Sequence, residues 1–307
     1  MQKHKLKAVK YELKRVLWLF AAMLFLQSCA LNSIFLRPTK LSSKTTAFSL
    51  KTKNSETISV HFGENHQPVF LKENKDTVEL EYTIKSVVFK NQSGKLLNGW
   101  EIMPKAPVQP VATLVHFHGN AGSLLHQFNA VTPLVKEGFA VFMFDYSGFG
   151  FSEGRPTRKN VLKDGNAALD YVLTNFSPAK KIVIYGQSLG GHLAGVVGTQ
   201  RQKDIDALVI EGAFSSHKTV AQAFAGGFGK AFTKEMYSAK DSIAHYHKPL
   251  LIIHSTEDEV IPFEMGKEIF NKANHPKEFL EVKECHICAP NYYTQEIADK
   301  IKTMLGL

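Results

Sequence analysis

KIVIYGQSLGGHLAGVVG occupies residues 181–198 and reads in three parts. Lys181–Tyr185 is short, β-branched or aromatic and nearly unbroken, as a strand buried on both faces requires. From 189 to 200 the apolar positions recur at helical spacing. Between the two lies Gly186-Gln187-Ser188-Leu189-Gly190, with a serine framed by two glycines. A strand that turns sharply into a helix leaves no room for side chains at 186 and 190, and lifts the middle residue to the end of the sheet. The helix start then directs amide groups and partial positive charge at that residue. The reading predicts Ser188 as a nucleophile. The competing reading is a serine that serves only a tight turn.

Working outward, Val111–Phe117, Phe139–Phe144, Ala207–Ile210 and Leu250–His254 are runs of the same kind. Between them, 122–137, 158–176 and 263–273 show helical spacing. Alternation of this sort implies right-handed crossovers and a mostly parallel sheet flanked by helices, an α/β fold. Residues 78–103 read as paired strands around the turn Asn91-Gln92-Ser93-Gly94. No repeat of 20–50 residues is visible, which excludes solenoids and propellers. The segment 212–247 breaks the rhythm and carries Phe214, Phe224, Phe228, Phe232, Met236 and Tyr237. It is expected to form a small helical cap that supplies an apolar acyl pocket; the alternative is a surface insertion whose aromatics pack on the sheet.

The strand ending at His254 leads into Ser255-Thr256-Glu257-Asp258-Glu259-Val260-Ile261-Pro262, where three acids compete. An acid in such a loop is placed to orient an imidazole and to stabilise it once protonated. His286 follows the alternating strand 278–282 and precedes a terminal helix, so it is the candidate general base. His275 looks like turn material beside Pro276, and His192 like a packing residue. His116-Phe117-His118-Gly119-Asn120-Ala121-Gly122-Ser123 follows another strand. The glycines at 148, 150 and 154 invite a phosphate-loop reading, but no Lys-Ser or Lys-Thr pair ends the run.

These segments together, HFHGNAGS, FDYSGFGFSEGRP, GQSLGG, HSTEDEVIP and the His286 loop, resemble the BEM46-like, serine-aminopeptidase-S33-like branch of the α/β-hydrolases over residues 112–290. The resemblance implies the α/β-hydrolase fold and selects Asp258 among the three acids. It implies backbone N–H groups of Asn120 and Leu189 as oxyanion donors, with His118, Gly119, Gly186 and Gly190 as supporting motif residues. The activity implied is acyl-bond hydrolysis through an acyl-enzyme, with a carboxylester or thioester favoured. A peptidase-like amide hydrolase is the alternative, and a binding module that kept the fold without catalysis is a third. No metal or organic cofactor is expected, the substrate is a small or lipid-like acyl compound, and the chain is expected to act as a monomer. Cys285 and Cys288 depart from the family pattern, which has glycine just before the histidine. Haem attachment would need a histidine where Ala289 stands, and zinc would need further ligands; disulfide and free thiols remain open.

The 307 residues, 44% hydrophobic and 21% charged, suit one large α/β core. Of the net charge of +9, +5 falls within residues 1–15. Basic charge gathered at one end argues for a targeting segment and against nucleic-acid binding. The eleven apolar residues Val16–Leu26 follow, too few to cross a bilayer as a helix. Leu26-Gln27-Ser28-Cys29-Ala30 resembles a bacterial lipobox. It implies removal of residues 1–28 as a signal peptide and lipid attachment to Cys29, hence a membrane-anchored lipoprotein of the bacterial cell envelope. Residues 29–55, rich in Ser, Thr and Lys, are expected to be a flexible tether, and 56–307 the catalytic domain.

Overall fold

A computed structural model describes residues 35–51 and 57–307. The proposed signal segment and Cys29 lie outside the described residues. No described helix is long and apolar enough to cross a membrane.

Eight strands form the central sheet: β1 (Tyr82–Lys90), β2 (Leu96–Pro104), β3 (Ala112–Phe117), β4 (Phe139–Phe144), β5 (Ile182–Gln187), β6 (Ala207–Glu211), β7 (Leu250–Ser255) and β8 (Lys277–Val282). Their spatial order is β8-β7-β6-β5-β3-β4-β2-β1. The β1–β2 and β2–β4 pairs are antiparallel, and every other pair is parallel. Strands β3 to β7 are buried at every position, which explains why their sequences lack the alternation of a half-exposed strand.

The main helices are α1 (Arg158–Asn175), α2 (Leu189–Gln200), α3 (His217–Phe232), α4 (Ala239–Ile243), α5 (Phe263–Lys272) and α6 (Thr294–Leu305). Side chains cap three of their starts: Thr157 accepts from the Asn160 N–H, Ser216 from Thr219 and Ser238 from Asp241. Each such cap contributes about 1 kcal/mol. The last helix stops at Gly306 in the left-handed conformation.

Two sequence expectations are corrected. The segment 29–55 is not a free tether over its described part beyond residue 37. Thr39 N–H donates to Gly122 O at 2.7 Å, Leu41 N–H to Gly150 O at 2.8 Å, and Leu41 is buried. Strand 47–51 then opens a three-stranded antiparallel sheet with 57–62 and 68–71. Backbone pairing with distant loops holds this polar stretch, and composition does not report such pairing. Within 212–247 helices form, but Phe224, Phe228, Phe232 and Met236 are 56%, 62%, 40% and 47% exposed. These four side chains stand largely in solvent, because α3 buries its first turn and leaves most of its remaining length exposed.

Candidate active site

Register determines which loops meet. Gly186 sits opposite Phe117 of β3, and Gln187 opposite Glu211 of β6. The carboxyl end of β5 therefore lies between the 118–123 loop and the start of the 212–247 segment. Ser188 follows at φ 56° and ψ −118°, ahead of α2. A serine held at positive φ costs roughly 1–3 kcal/mol and persists only where packing enforces it. Here a Cβ on Gly186 would stand 2.3 Å from Gly190 O, and one on Gly190 1.8 Å from Phe117 O. The Ser188 N–H donates to Glu211 O at 2.9 Å.

The 118–121 loop closes on the serine: a Cβ on Gly119 would lie 3.6 Å from Ser188 Cβ. Gln127 braces this loop, accepting the Gly119 N–H at 2.8 Å and donating to Ala121 O. Tyr146 OH donates to His118 O at 3.0 Å, and the His118 ring is buried beside Asp145. Asn120 thus follows a glycine packed against the serine. Leu189 is the first residue of α2, where N–H groups have no acceptor within the helix. Asp145 is buried and accepts the Leu124 N–H at 2.8 Å.

Of the three acids after β7, Asp258 turns inward with a side chain 1% exposed, while Glu257 and Glu259 are exposed. Asp258 Oδ1 accepts the N–H groups of Val260 at 2.9 Å and Ile261 at 2.7 Å. Its Oδ2 meets His286 Nδ1 at 2.7 Å and lies 3.4 Å from His254 Nε2. Burial alone would raise this carboxyl, but hydrogen bonds from His254 and His286 hold it well below the usual carboxylate range. With Nδ1 engaged, Nε2 is the nitrogen left to serve a proton acceptor's role. Among the described residues no hydrogen bond joins Ser188 to His286. Their loops nevertheless converge: Gln187 Nε2 donates to Ile287 O at 3.3 Å, and a Cβ on Gly212 would lie 3.1 Å from His286 Cε1. A disulfide joins Cys285 to Cys288 around His286, with Cα atoms 5.7 Å apart, inside the range that such bonds span.

Other histidines are accounted for. His275 is exposed at the amino end of β8, the far end of the sheet. His192 is buried against Phe214, ring centroids 4.2 Å apart, and burial lowers its pKa to about 3, so it stays neutral as a packing group.

Two neighbours of the site escaped the sequence reading. In the sequence His254 marks only the end of a strand; in the fold it bridges Asp258 and Ile261 O, the latter at 3.0 Å. Glu211 ends β6 fully enclosed. Its Oε1 accepts the Ala289 N–H at 3.0 Å, and its Oε2 accepts Tyr185 OH at 2.8 Å and Gln187 Nε2 at 2.7 Å. Burial raises its pKa against these hydrogen bonds. A charged residue closing a wholly apolar strand, just before a glycine, was the available signal. Among the described residues no group of three or more His, Cys, Asp or Glu side chains is arranged to hold a metal ion.

Residues 108–226 match the family model described as serine aminopeptidase, S33, within Hydrolase_4. The uncharacterised protein YfhR of Escherichia coli K12 is 34% identical over 73% of this chain and 83% of its own length. Protein bem46 of Schizosaccharomyces pombe is 31% identical over 61% of this chain and 66% of that protein. The mouse lysophosphatidylserine lipase ABHD12 is 28% identical over 72% of this chain and 60% of that protein. With the eight-stranded sheet and its serine turn, these likenesses establish that the chain belongs to the BEM46-like family of α/β-hydrolases.

Proposed function

We propose that this hydrolase cleaves acyl bonds, carboxylesters or thioesters, with Ser188 as nucleophile and His286 as general base. The observation that carries the reading is the 2.7 Å pairing of His286 with inward-turned Asp258 on the loop beside the serine turn. In the reaction Ser188 Oγ attacks the acyl carbonyl carbon while His286 Nε2 takes its proton. Asp258 stabilises the resulting imidazolium and holds the ring. The carbonyl oxygen becomes an oxyanion, received by the backbone N–H groups of Asn120 and Leu189; such a donor is worth roughly 2.7–4 kcal/mol. Collapse expels the alcohol or thiol with the proton from His286, and water, deprotonated by the same ring, then releases the acid.

The ABHD12 likeness supports a lipid-like ester over a peptide, whereas the S33 family description favours an aminoacyl amide. The lipobox-like segment at Cys29 supports an envelope lipoprotein; an unmodified Cys29 in N-terminal mass spectrometry would remove that part of the proposal. The test of chemistry is labelling with a fluorophosphonate, which reacts with activated serines. Wild type should label and Ser188→Ala should not; equal labelling of both refutes the nucleophile. p-Nitrophenyl esters of graded chain length, run beside thioester and aminoacyl substrates, then identify the leaving group.

A further inference from the structure

Helix α3 leaves the carboxyl end of the sheet, the same end that carries Ser188, and runs outward from a buried first turn. Beyond Ala221 it presents Phe224, Phe228 and Phe232 at steps of four residues, and Met236 continues the series past its end. Each is 40% exposed or more, and the Phe228 and Phe232 rings touch with centroids 4.4 Å apart. Ala223, Ala225 and Ala231 are exposed beside them. The helix bends at Ala225 and Gly226, where an added Cβ at 226 or 227 would meet nothing within 4 Å. Exposed side chains this large, gathered within one short segment, mark a surface that meets something apolar.

Charge identifies what. From Gly212 to Lys234 the chain holds no Asp or Glu, but it carries Lys218, Lys230 and Lys234, all exposed. Glu235, the first acid beyond, is turned inward: it accepts the N–H groups of His217 and Lys218 at 3.1 and 3.0 Å and lies 3.0 Å from His217 Nδ1. Arg158 faces the same segment and donates to Lys234 O at 2.7 Å. The segment 212–234 is therefore aromatic and carries only basic formal charge. A second copy of this chain would bring lysines against lysines. The patch is also small for a dimer: three half-exposed Phe and one Met offer roughly 400 Å², against about 800 Å² per partner in a stable interface.

We propose that α3 is an interfacial segment that docks on an anionic lipid bilayer, its adjoining Phe228 and Phe232, with Phe224 across the bend, entering the boundary between headgroups and acyl chains while Lys218, Lys230 and Lys234 meet lipid phosphates. Aromatic and basic residues on one short helix are the composition of helices that lie in a membrane surface. Because the helix springs from the rim of the site, docking would hold that rim at the lipid surface. This contact is separate from any lipid on Cys29, and it stands whatever bond Ser188 cleaves.

The test is the full chain carrying Phe228→Trp, mixed with vesicles of phosphatidylcholine alone or with phosphatidylglycerol. Trp18 and Trp100 are common to this chain and wild type, so the difference spectrum isolates position 228. On anionic vesicles the added emission should shift to the blue and be quenched by lipids brominated along the acyl chain. The half-saturating lipid concentration should be roughly a hundredfold lower than on neutral vesicles. Lys218→Gln, Lys230→Gln and Lys234→Gln together should abolish that preference, at about fivefold per lysine. Vesicles that bind the chain while leaving the position-228 emission unchanged overturn the proposal. A blue shift that grows with protein concentration without vesicles also overturns it, in favour of a second copy.

Discussion

Glu211→Gln keeps the shape of the side chain and changes one buried oxygen into a donor. The carboxylate receives three donors: Ala289 N–H on one oxygen, Tyr185 OH and Gln187 Nε2 on the other. If the new amide nitrogen faces Ala289, two N–H groups oppose each other. If it faces the other side, Tyr185 can rotate to accept, but Gln187 can accept only by turning its amide over and giving up Ala130 O and Ile287 O. In either orientation at least one enclosed donor loses its acceptor, at about 1–3 kcal/mol. Relief of the buried charge offsets part of this, so a net loss of about 1–2 kcal/mol is expected in urea unfolding. The pH dependence gives a second reading. Burial raises the Glu211 pKa in the folded chain, so the native state holds this proton more tightly than the unfolded one. Its contribution to stability is complete below the ordinary value of 4.5 and falls as pH rises through the higher folded value. Glu211→Gln should remove that downward slope. Gln187 precedes the proposed nucleophile and Ala289 lies three residues beyond the proposed base, so kcat/KM should drop about tenfold to hundredfold through misplacement. A variant with unchanged urea midpoint, unchanged pH slope and kcat/KM within about twofold of wild type would refute the role assigned to this carboxylate.

Asp258→Asn should lower kcat about 10⁴-fold in an ester assay, as expected when the partner of a catalytic imidazole loses its charge. Because the Asp258 pKa is depressed in the fold, its stabilising share is present above the unfolded value of about 3.9 and is lost as pH falls through the folded value; acid titration of unfolding should show that loss in wild type and not in Asp258→Asn. Gly190→Ala forces a Cβ to within 1.8 Å of Phe117 O, a backbone atom that cannot swing aside; a loss of at least about 1–3 kcal/mol is expected, read as a lower thermal midpoint, and a wild-type midpoint would contradict the packing. Reducing the Cys285–Cys288 bond frees a four-residue loop, worth about 2 kcal/mol of unfolded-state entropy. Wild type in reductant should then match Cys285→Ser/Cys288→Ser in urea midpoint; no change on reduction would mean the bond constrains nothing.

The features legible in the sequence were those written in local pattern. The serine turn was readable because buried parallel strands need unbroken apolar runs and because Gly186 and Gly190 are dictated by contacts of the turn itself. Asp258 could be chosen among three adjacent acids only by its resemblance to a family register; its physical mark, two backbone N–H groups and two imidazoles, is a tertiary property. Residues 38–51 were misread for the converse reason: Ser, Thr and Lys look like tether, and their order comes from carbonyls at Gly122 and Gly150, more than eighty residues away. The aromatics of 224–236 were placed over a pocket because apolar composition predicts burial. Exposure is the outcome wherever no element packs against that face.

Glu211 and Asp258 show why composition alone does not assign roles to buried acids. Both are enclosed carboxylates at the carboxyl ends of strands beside Ser188 and His286, yet their affinities for protons move in opposite directions. Asp258 gains from imidazoles that can carry positive charge, so the fold favours its ionised form. Glu211 is met mainly by neutral donors, which hold its geometry but do not fully offset desolvation. The first arrangement suits a partner for a proton that arrives and leaves during a reaction. The second suits a tie: it joins β5, β6 and the turn after His286 through atoms that need not change charge. A site whose proposed nucleophile and base come from segments almost a hundred residues apart needs such a tie, and Glu211 bonds to both sides of that gap.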